Sequence, residues 1–561
     1  MRGNGCAFGL ATLIVCSGAA QSAPSSSASR ITASLSVEEK IGQLFMVAID
    51  TGVAAKYEPY IRSGKLGGGL LRWDRFTRDQ AREFTSLMQR WASSSTGRMP
   101  FLIAADHEGG SNFTQRSYGA TIFPGSMALG AARSVQWAEE SAAISGQELR
   151  ALGIHINFAP VIDVNNNPDN PIIGVRSFGE DPATVAALGS AAIRGYLRGG
   201  VIPVAKHFPG HGDTNTDSHL SLPVIRRSVE ELNQVELVPF RAAIAAQVPM
   251  IMPAHILFPA IEPGNLSVTL SSHAVDGWLR EQLGFEGVVV TDSLDMGAIA
   301  NTYGTPDAAV MALKAGCDLL LLGKEDFPGA YSRVLQAVQQ GEISAQRLDL
   351  SVQRVVNLKK WLGLFGHSSG TILPIKKIGQ KQHKNLARKI AENSVTLLRN
   401  EESLIPLRLA SGKKFLVLIF HSARSAPEVK DFVEGITKRH PNTKFSDLPL
   451  APNLKTSQEA VEEARKADVL LIGTFNSEAA ELKEQTGLVQ QLRALGKPLV
   501  LMSLLNPYDL RYFEGIKTAL CTYGVTEASL DAAVRLMFGE IKFQGKLPVT
   551  IPGFAKRGDG L

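Results

Sequence analysis

Residues 206–223, KHFPGHGDTNTDSHLSLP, carry three histidines and two aspartates and directly follow the apolar run 201–205. Such a run has the composition of a buried strand in a parallel sheet. Titratable side chains just beyond a buried strand are typical of the catalytic end of an α/β barrel. The stretch therefore predicts an α/β enzyme whose active site is built around this segment.

Within this stretch, Asp217 and His219 are two residues apart, in the order Asp-Ser-His. If the segment is extended, both side chains point to the same side, and the carboxylate reaches the imidazole. A carboxylate in that position fixes the tautomer of the ring and favours its protonated form. The pair therefore predicts a general acid or base. The alternative is a loop of solvated histidines, and the density of titratable groups argues against it.

Apolar runs recur along the first part of the chain, and segments of helical periodicity such as 132–151 and 229–247 lie between them. Most of these runs are continuously apolar, as in strands covered on both faces. They are residues 44–49, 66–71, 101–105, 154–158, 201–205, 249–252, 288–291 and 318–322. Repeated β-α units of this kind predict a (β/α)8 TIM barrel over residues 30–365. An open doubly wound sheet is the alternative, because counting strands does not prove closure.

Charged and polar residues stand just after these runs. They are Asp106, His107 and Glu108 after the third run, Asp163 and Arg176 after the fourth, Lys206 and His207 after the fifth, His255 after the sixth and Asp292 after the seventh. In a barrel these positions meet at one face, around one pocket. Asp292 there could serve as metal ligand, base or nucleophile. The alternative is a structural cap for a helix over 293–300.

A second domain is predicted after residues 366–383, where Gly, Ser, Pro and Lys interrupt the pattern and indicate a linker. Over 384–561, buried strands are predicted at 414–420, 469–475, 499–505 and 519–523. Helical segments lie between them, which predicts an α/β sandwich domain. The basic residues around the linker lack interleaved aromatics, so we interpret them as a solvated connector and predict no nucleic-acid partner.

The N-terminus has the layout of a secretory signal peptide, with Arg2 before an apolar run and then small polar residues. We predict cleavage after residue 20 and a secreted or periplasmic protein. Lipid attachment at Cys16 is the less favoured alternative, because Val15 stands where lipoprotein signals prefer a small residue. Cys317 and Cys521 then remain, and we expect both in hydrophobic cores rather than in a disulfide framework or zinc site.

These motifs together resemble glycoside hydrolase family 3, and within it the NagZ-type β-N-acetylhexosaminidases in their two-domain form. KHFPGHGDTNTDSH is specific for that subgroup. The resemblance extends to DHEGG at 106–110, IGVRSFGEDP at 173–182, LREQLGFEGVVVTDSLDM at 279–296, NSVTLLRNEESLIPL at 393–407 and MFGEIKFQGKLPVTIP at 537–552. One departure follows DHEGG, where residues 111–114 (SNFT) precede Gln115 and Arg116 and displace an arginine that the family usually carries.

The resemblance implies roles for particular residues. Asp292 would be the nucleophile that forms a covalent glycosyl-enzyme intermediate, and His219 with Asp217 would be the general acid/base. The remaining implied contacts are to the sugar: Asp106, Arg176, Lys206 and His207 to its hydroxyl groups, and Met296 to its N-acetyl group. No metal and no organic cofactor is implied. We therefore predict an exo-acting, retaining β-N-acetylglucosaminidase that acts, as a monomer, on peptidoglycan fragments or chitooligosaccharides.

Four other functions fit parts of the sequence. A family 3 β-glucosidase would take its acid from a glutamate of the second domain, with Glu478, Glu481 and Glu484 as candidates. A β-N-acetylglucosaminide phosphorylase fits a histidine acid, which brings no second carboxylate charge beside incoming phosphate. A metal hydrolase would use His207, His211 and His219, although Pro209 and Gly210 disfavour the helix that such spacing needs. A non-catalytic wall-binding protein would be expected to lack Asp292 or His219.

Overall fold

The computed structural model describes residues 26–72, 76–111, 113–114, 118–323, 326–366, 374–475 and 479–561. Eight parallel strands form the first sheet, and each overlaps one of the predicted apolar runs. They are β1 (Phe45–Ile49), β2 (Gly68–Leu71), β3 (Leu102–Ala105), β4 (Ile156–Asn157), β5 (Ile202–Phe208), β6 (Met250–Pro253), β7 (Val288–Val289) and β8 (Leu320–Leu322).

The sheet closes into a barrel. Its strand order is β7-β6-β5-β4-β3-β2-β1-β8, so β7 and β8 are its two ends. A parallel bridge between Val290 and Leu319 joins these ends, with Thr291 N donating to Leu319 O at 2.9 Å and Leu319 N donating to Val289 O at 3.0 Å. The prediction of a TIM-like barrel is therefore confirmed, and the alternative of an open doubly wound sheet is wrong.

Helices connect the barrel strands. They are α1 (Ser26–Ser34), α2 (Val37–Gly42), α3 (Ala54–Arg62), α4 (Arg78–Ala92), α5 (Ser126–Ala132), α6 (Val135–Ala151), α7 (Pro182–Gly199), α8 (Val229–Gln234), α9 (Leu237–Ala245), α10 (Gly297–Tyr303), α11 (Thr305–Ala315), α12 (Phe327–Gln339) and α13 (Ala345–Trp361). Short 3-10 segments span Gly174–Arg176 and Val268–Leu270, and a π-helical segment spans His273–Gln282.

Two predicted helices differ from those observed. The segment 132–151 forms α6 only from Val135, because Ser134 caps that helix by accepting from Trp137 N. The segment 229–247 divides into α8 and α9. Pro239 explains the division, since it lacks an N–H group and its ring would clash with the carbonyl of Val235 in a continuous helix.

The second domain is built on a six-stranded sheet with the order β11-β10-β12-β13-β14-β9. All neighbours in it are parallel except β14 and β9, which are antiparallel. Its strands are β9 (Thr396–Asn400), β10 (Phe415–Phe420), β11 (Thr443–Leu448), β12 (Val469–Thr474), β13 (Leu499–Ser503) and β14 (Thr518–Cys521). Its helices are α14 (Lys381–Ser394), α15 (Ala426–Arg439), α16 (Leu454–Lys466), α17 (Ala479–Arg493) and α18 (Glu527–Met537), and 3-10 segments span Ile375–Lys377, Ala423–Ser425 and Pro507–Tyr512.

The four central strands confirm the predicted α/β domain, whereas β9 and β11 were not predicted. Both lie at the edges of the sheet and have one neighbour each. Because an edge strand is covered on fewer sides, it can keep polar residues, as TKFSDL in β11 and TLLRN in β9 show. Sequences of this kind do not form the apolar runs by which the other strands were found.

The predicted boundary between the linker and the second domain can be compared with the helices of the structure. The predicted limit between residues 383 and 384 falls inside α14, whose first turn contacts the barrel through His383 Nδ1 and Glu148 Oε1, 2.6 Å apart. Residues 367–373 of the predicted linker and the predicted signal peptide, residues 1–20, lie outside the described residues.

Cys317 and Cys521 are buried free thiols, as predicted. Among the helices described, none has both the length and the apolar character needed to cross a bilayer.

Candidate active site

A cavity of about 620 Å³ lies at the carboxyl ends of the barrel strands. Its size is within the range of small-molecule sites. The structure brings seven of the eight predicted site residues to its wall: Asp106, Arg176, Lys206, His207, His219, Asp292 and Met296. The eighth, Asp217, contacts the ring of His219. His255 is fully buried behind this wall, where Nε2 lies 3.0 Å from Ser293 O.

A buried carboxylate, Glu108, holds two of the predicted sugar-binding cations. Arg176 donates to both of its oxygens at 2.8 Å, and Lys206 Nζ lies 2.7 Å from Oε1. Lys206 also contacts Asp106 at 3.2 Å. Burial raises the pKa of Glu108, but Arg176 and Lys206 outweigh it and lower that pKa to about 2. A fixed negative charge therefore anchors both cations at the cavity wall.

A second buried carboxylate, Asp163, holds two of the histidines. Its Oδ2 is 2.7 Å from His207 Nδ1, and its Oδ1 accepts from the backbone amides of His207 and His211 at 3.1 and 2.7 Å. Burial raises the pKa of Asp163, and His207 and His211 together lower it by more. Neither Glu108 nor Asp163 was assigned a role from the sequence. Both lie within six residues of the end of a barrel strand, among the charged residues already noted, and that signal could have identified them.

The three histidines considered as metal ligands have separate partners. His207 contacts Asp163, and His219 contacts Asp217. His211 lies between Thr214 Oγ1 and Ser218 Oγ, each 3.0 Å from one of its ring nitrogens, and burial lowers its pKa to about 4. These partners favour positioning roles over joint coordination. Over the described ranges, no group of three His, Cys, Asp or Glu residues is arranged to hold a metal ion.

Lys206 and His207 are adjacent, yet both side chains line the cavity. Successive residues of a regular strand point to opposite faces. The pairing of β5 with β6 shifts register between Lys206 and Phe208, so the strand is irregular at this point. A local irregularity of this kind re-aims a side chain. It delivers two neighbouring polar side chains to one site.

Asp217 and His219 form the predicted contact, but in a turn rather than in an extended segment. Asp217 Oδ1 accepts from His219 N at 2.8 Å and lies 2.7 Å from His219 Nδ1, while Asp217 O accepts from Leu220 N and Ser221 N. This is the local side-chain-to-backbone bonding of an Asx turn. The contact with Asp217, and then the charge of Asp292, raise the pKa of His219 against the effect of burial.

Asp292 follows β7 and its Oδ1 accepts from Ser293 N at 2.7 Å. Burial raises the pKa of Asp292, but His255, His207 and Lys206 lower it by more, to about 2. The carboxylate is therefore ionised at neutral pH. The alternative role as a helix cap is wrong, because the next helix, α10, begins only at Gly297 and no side chain caps it.

One corner of the cavity was not predicted. It contains Asp50 and Arg72, whose side chains are 3.5 Å apart, and Asp295, which accepts from Ser293 Oγ at 2.5 Å and from Gly323 N at 3.1 Å. Asp50 and Arg72 are the first residues after β1 and β2. The criterion that identified the other charged residues, a place just after a barrel strand, therefore applies to these two as well. Met296 lines the cavity and is almost fully buried.

Comparison of the sequence with models of known protein families shows which family the chain belongs to. Residues 36–358 match the glycosyl hydrolase family 3 N terminal domain, and residues 395–558 match the family's C-terminal domain. The chain belongs to glycoside hydrolase family 3. The resemblance stated from the motifs is thereby confirmed, and the protein is an enzyme of the glycoside hydrolase class, as predicted.

Relatives of this family 3 enzyme share both of its domains. The chain is 30% identical to β-hexosaminidase A of Pseudoalteromonas piscicida, over 83% of its own length and 86% of the relative. It is 32% identical to a β-N-acetylglucosaminidase/β-glucosidase of Cellulomonas fimi, over 92% and 94%. The solved family 3 β-N-acetylglucosaminidase of Paenibacillus sp. str. FPU-7 is 35% identical, with a TM-score of 0.84 over 92% of this chain and 99% of that one.

The departure after DHEGG joins the barrel of this family 3 enzyme to its second domain. Ser111 Oγ accepts from Val525 N at 2.7 Å, and Thr114 O accepts from Arg424 at 3.0 Å. Phe113 lies under the guanidinium of Arg176, 4.4 Å from ring centroid to carbon. The loop therefore supplies an aromatic face to Arg176. Gln115 and Arg116 lie outside the described residues.

The second domain also holds the segment that carries Arg176. Val175 packs into the hydrophobic core of that domain. Tyr508 O–H is 3.0 Å from Asn165 Nδ2, and Asn165 Oδ1 accepts from Gly174 N at 3.1 Å. Gly174 begins the 3-10 segment that ends at Arg176. Of the glutamates required by the β-glucosidase alternative, Glu484 is exposed on α17, and Glu478 and the side chain of Glu481 lie outside the described residues.

We predict that Tyr508→Phe lowers kcat/KM on a chromogenic β-glycoside about two- to tenfold, mainly through KM. The change deletes two hydrogen bonds to Asn165, one accepted from Nδ2 at 3.0 Å and a longer one donated to the backbone O at 3.4 Å. A hydrogen bond contributes about 0.5–1.5 kcal/mol, and the loss loosens Asn165 and hence the Arg176 segment. Tyr512→Phe is the matched control, since Tyr512 is exposed in the same 3-10 segment and bonds only to its neighbour Arg511 among the contacts seen. Equal kinetics for the two variants would show that Tyr508 has no positioning role.

Proposed function

We propose that the protein is an exo-acting, retaining β-N-acetylglucosaminidase that releases terminal β-linked N-acetylglucosamine from peptidoglycan fragments or chitooligosaccharides. One observation carries the proposal. A carboxylate with a pKa of about 2 and a histidine with a raised pKa line the same cavity. The carboxylate is ionised at neutral pH and can act as the nucleophile, and the histidine holds its proton more strongly than a free imidazole does, as the first step of retaining hydrolysis requires.

In the first step, Asp292 attacks the anomeric carbon and the bond to the leaving oxygen breaks. His219 gives its proton to that oxygen. Its Nδ1 is held by Asp217 at 2.7 Å, which leaves Nε2 as the nitrogen that acts on the substrate. Asp217 and Asp292 raise the pKa of His219, which favours the protonated ring before the leaving oxygen takes the proton.

In the second step, the neutral His219 takes a proton from water, and that water attacks the anomeric carbon and displaces Asp292. Two inversions at one carbon leave the β configuration unchanged. About half of the His219 side chain is exposed, so water can reach it. The acid and the base are thus the same group in successive steps.

Asp106, Arg176, Lys206 and His207 are assigned to the sugar hydroxyl groups, and Met296 to the methyl of the N-acetyl group. All four polar side chains line the cavity: Glu108 holds Arg176 and Lys206, Asp163 holds His207, and Asp106 contacts Lys206. Relatives named as β-hexosaminidase and β-N-acetylglucosaminidase support the N-acetyl sugar. We further propose that residues 1–20 direct export, which would bring the enzyme to its polymeric substrates.

β-Glucosidase activity is the second candidate. The Cellulomonas fimi relative carries both activities in its name. The Asp217–His219 pair argues against a glucosidase that draws its acid from the second domain, because that acid would duplicate His219. Phosphorolysis uses the same first step, with phosphate replacing water in the second. These alternatives differ in substrate and acceptor, so one set of assays separates them.

We predict that 4-nitrophenyl β-N-acetylglucosaminide is cleaved with a kcat/KM at least about tenfold above that of the β-glucoside, since a hydrophobic contact to one additional group is worth about 1–3 kcal/mol. Chitobiose and N-acetylglucosaminyl-N-acetylmuramic acid should yield N-acetylglucosamine, released first as the β anomer by proton NMR. Faster cleavage of the glucoside would refute the sugar assignment. Formation of a sugar phosphate in phosphate buffer would identify a phosphorylase instead.

His219→Ala is expected to lower kcat/KM on chitobiose by about 10²–10⁴-fold, the usual contribution of a general acid. On 2,4-dinitrophenyl β-N-acetylglucosaminide the loss should stay below about tenfold, because that leaving group departs without a proton. Steady-state kinetics on the two substrates make the comparison. Similar losses on both would exclude His219 as the acid.

The pH profile tests the Asp217–His219 pair. For chitobiose, kcat/KM should be constant where Asp292 is ionised and His219 protonated, and should fall as pH rises through the pKa of His219, above its ordinary value of about 6.5. Asp217→Asn removes the main cause of that raised pKa, so the alkaline limb should move to lower pH. Asp213→Asn is the control, since Asp213 lies in the same segment but binds Arg227. An alkaline limb that stays in place in Asp217→Asn would contradict the pairing.

A further inference from the structure

The helix after the proposed nucleophile begins without a side-chain cap. The first N–H groups of any helix have no acceptor inside it. In α10, Gly297 N donates to His219 O at 3.1 Å and Ala298 N donates to Ser218 O at 3.3 Å. The turn that carries the proposed acid therefore caps the helix that follows the proposed nucleophile.

This contact is close enough to exclude a side chain at position 297. A Cβ there would lie 2.7 Å from His219 O and 2.8 Å from Leu220 O. Both atoms are backbone, so rotation of a side chain cannot relieve the overlap. Gly297 does not have a positive φ, and other residues could adopt its backbone conformation. The requirement for glycine at this position is thus steric and comes from the docked turn.

The turn can shift as a unit. The bonds between Asp217 and His219 lie within it, as do the bonds from Leu220 N and Ser221 N to Asp217 O. Its contacts to the rest of the barrel include the two amides of α10 and the bond from Ser218 Oγ to His211 Nε2 at 3.0 Å. Displacement from α10 would therefore carry the acid away with its partner still attached.

We infer that Gly297 is a positioning residue for the acid: because it lacks a side chain, the turn bearing Asp217 and His219 docks on α10, and this backbone contact sets the distance from His219 to the leaving oxygen of a substrate whose anomeric carbon faces Asp292. The inference rests on the proposed function in one respect, the role of His219. Acid catalysis is sensitive to this distance, since a misplacement of about 1 Å can cost about 100-fold in rate.

The test is Gly297→Ala. We expect kcat/KM on chitobiose to fall about 10- to 100-fold, and kcat/KM on 2,4-dinitrophenyl β-N-acetylglucosaminide to change less than about threefold, because the activated leaving group needs no proton. Ser218→Ala, which removes the anchor to His211, should show the same pattern more weakly. Gly487→Ala is the control, since a Cβ at that position in α17 meets no atom within 4 Å.

Two further readouts separate displacement of the turn from general damage. The alkaline limb of the pH profile should stay in place in Gly297→Ala, because the Asp217–His219 pair remains intact. Hydrogen exchange, followed by mass spectrometry, should quicken at the amide of residue 298 as its acceptor moves away. Unchanged exchange together with unchanged kinetics would overturn the inference.

His219→Ala, measured in parallel, keeps the two hypotheses apart. If His219→Ala discriminates between the substrates and Gly297→Ala lowers both equally, the positioning role is wrong and the proposed function stands. If His219→Ala does not discriminate, the proposed function fails. In that case faster exchange at residue 298 in Gly297→Ala still supports the docking of the turn, and unchanged exchange refutes it.

Discussion

The structure of the site depends on the buried carboxylate of Glu108 and the two cations that bind it. Removing a charge from water costs several kcal/mol, and only close opposite charges and hydrogen bonds recover that cost. Glu108, Arg176 and Lys206 have almost fully buried side chains. Glu108 follows β3, Arg176 lies in the 3-10 segment between β4 and β5, and Lys206 lies in β5. The network is therefore stable only when these three segments hold their positions together. Val175, beside Arg176, extends the requirement to the second domain, because it packs into that domain's core.

The same principle of buried charge sets the two proposed catalytic groups in opposite states. Asp292 is partly buried among His255, His207 and Lys206, which lower its pKa against the cost of burial. His219 is partly exposed and gains its raised pKa first from Asp217 and then from Asp292. The positive side of the cavity thus keeps the nucleophile ionised, and the negative charges keep the acid protonated. A histidine acid suits this arrangement, since a second carboxylate near Asp292 would repel it.

Much of this could be predicted from the sequence, for physical reasons. Buried parallel strands form apolar runs, so all eight barrel strands were found, and the chemistry at their ends followed from the barrel. Contacts between distant segments leave no such pattern. The bonds of Glu108 to Arg176, of Asn165 to Tyr508 and of Gly297 to the acid turn could not be derived from spacing. The contact of Asp217 with His219 was predicted for a wrong reason, because an Asx turn, like an extended segment, brings residues i and i+2 together.

The residues proposed to hold the sugar and the residue proposed to move the proton differ in their setting. Arg176, Lys206 and His207 are buried and bound to buried carboxylates, so their positions are fixed before substrate arrives. Preorganised groups of this kind need no rearrangement in the transition state. In the proposed mechanism, His219 meets a leaving group in one step and water in the next, which a fully buried ring could not do. Its place on an exposed turn, docked onto α10 through backbone hydrogen bonds, gives it access to water while the barrel still determines its reach.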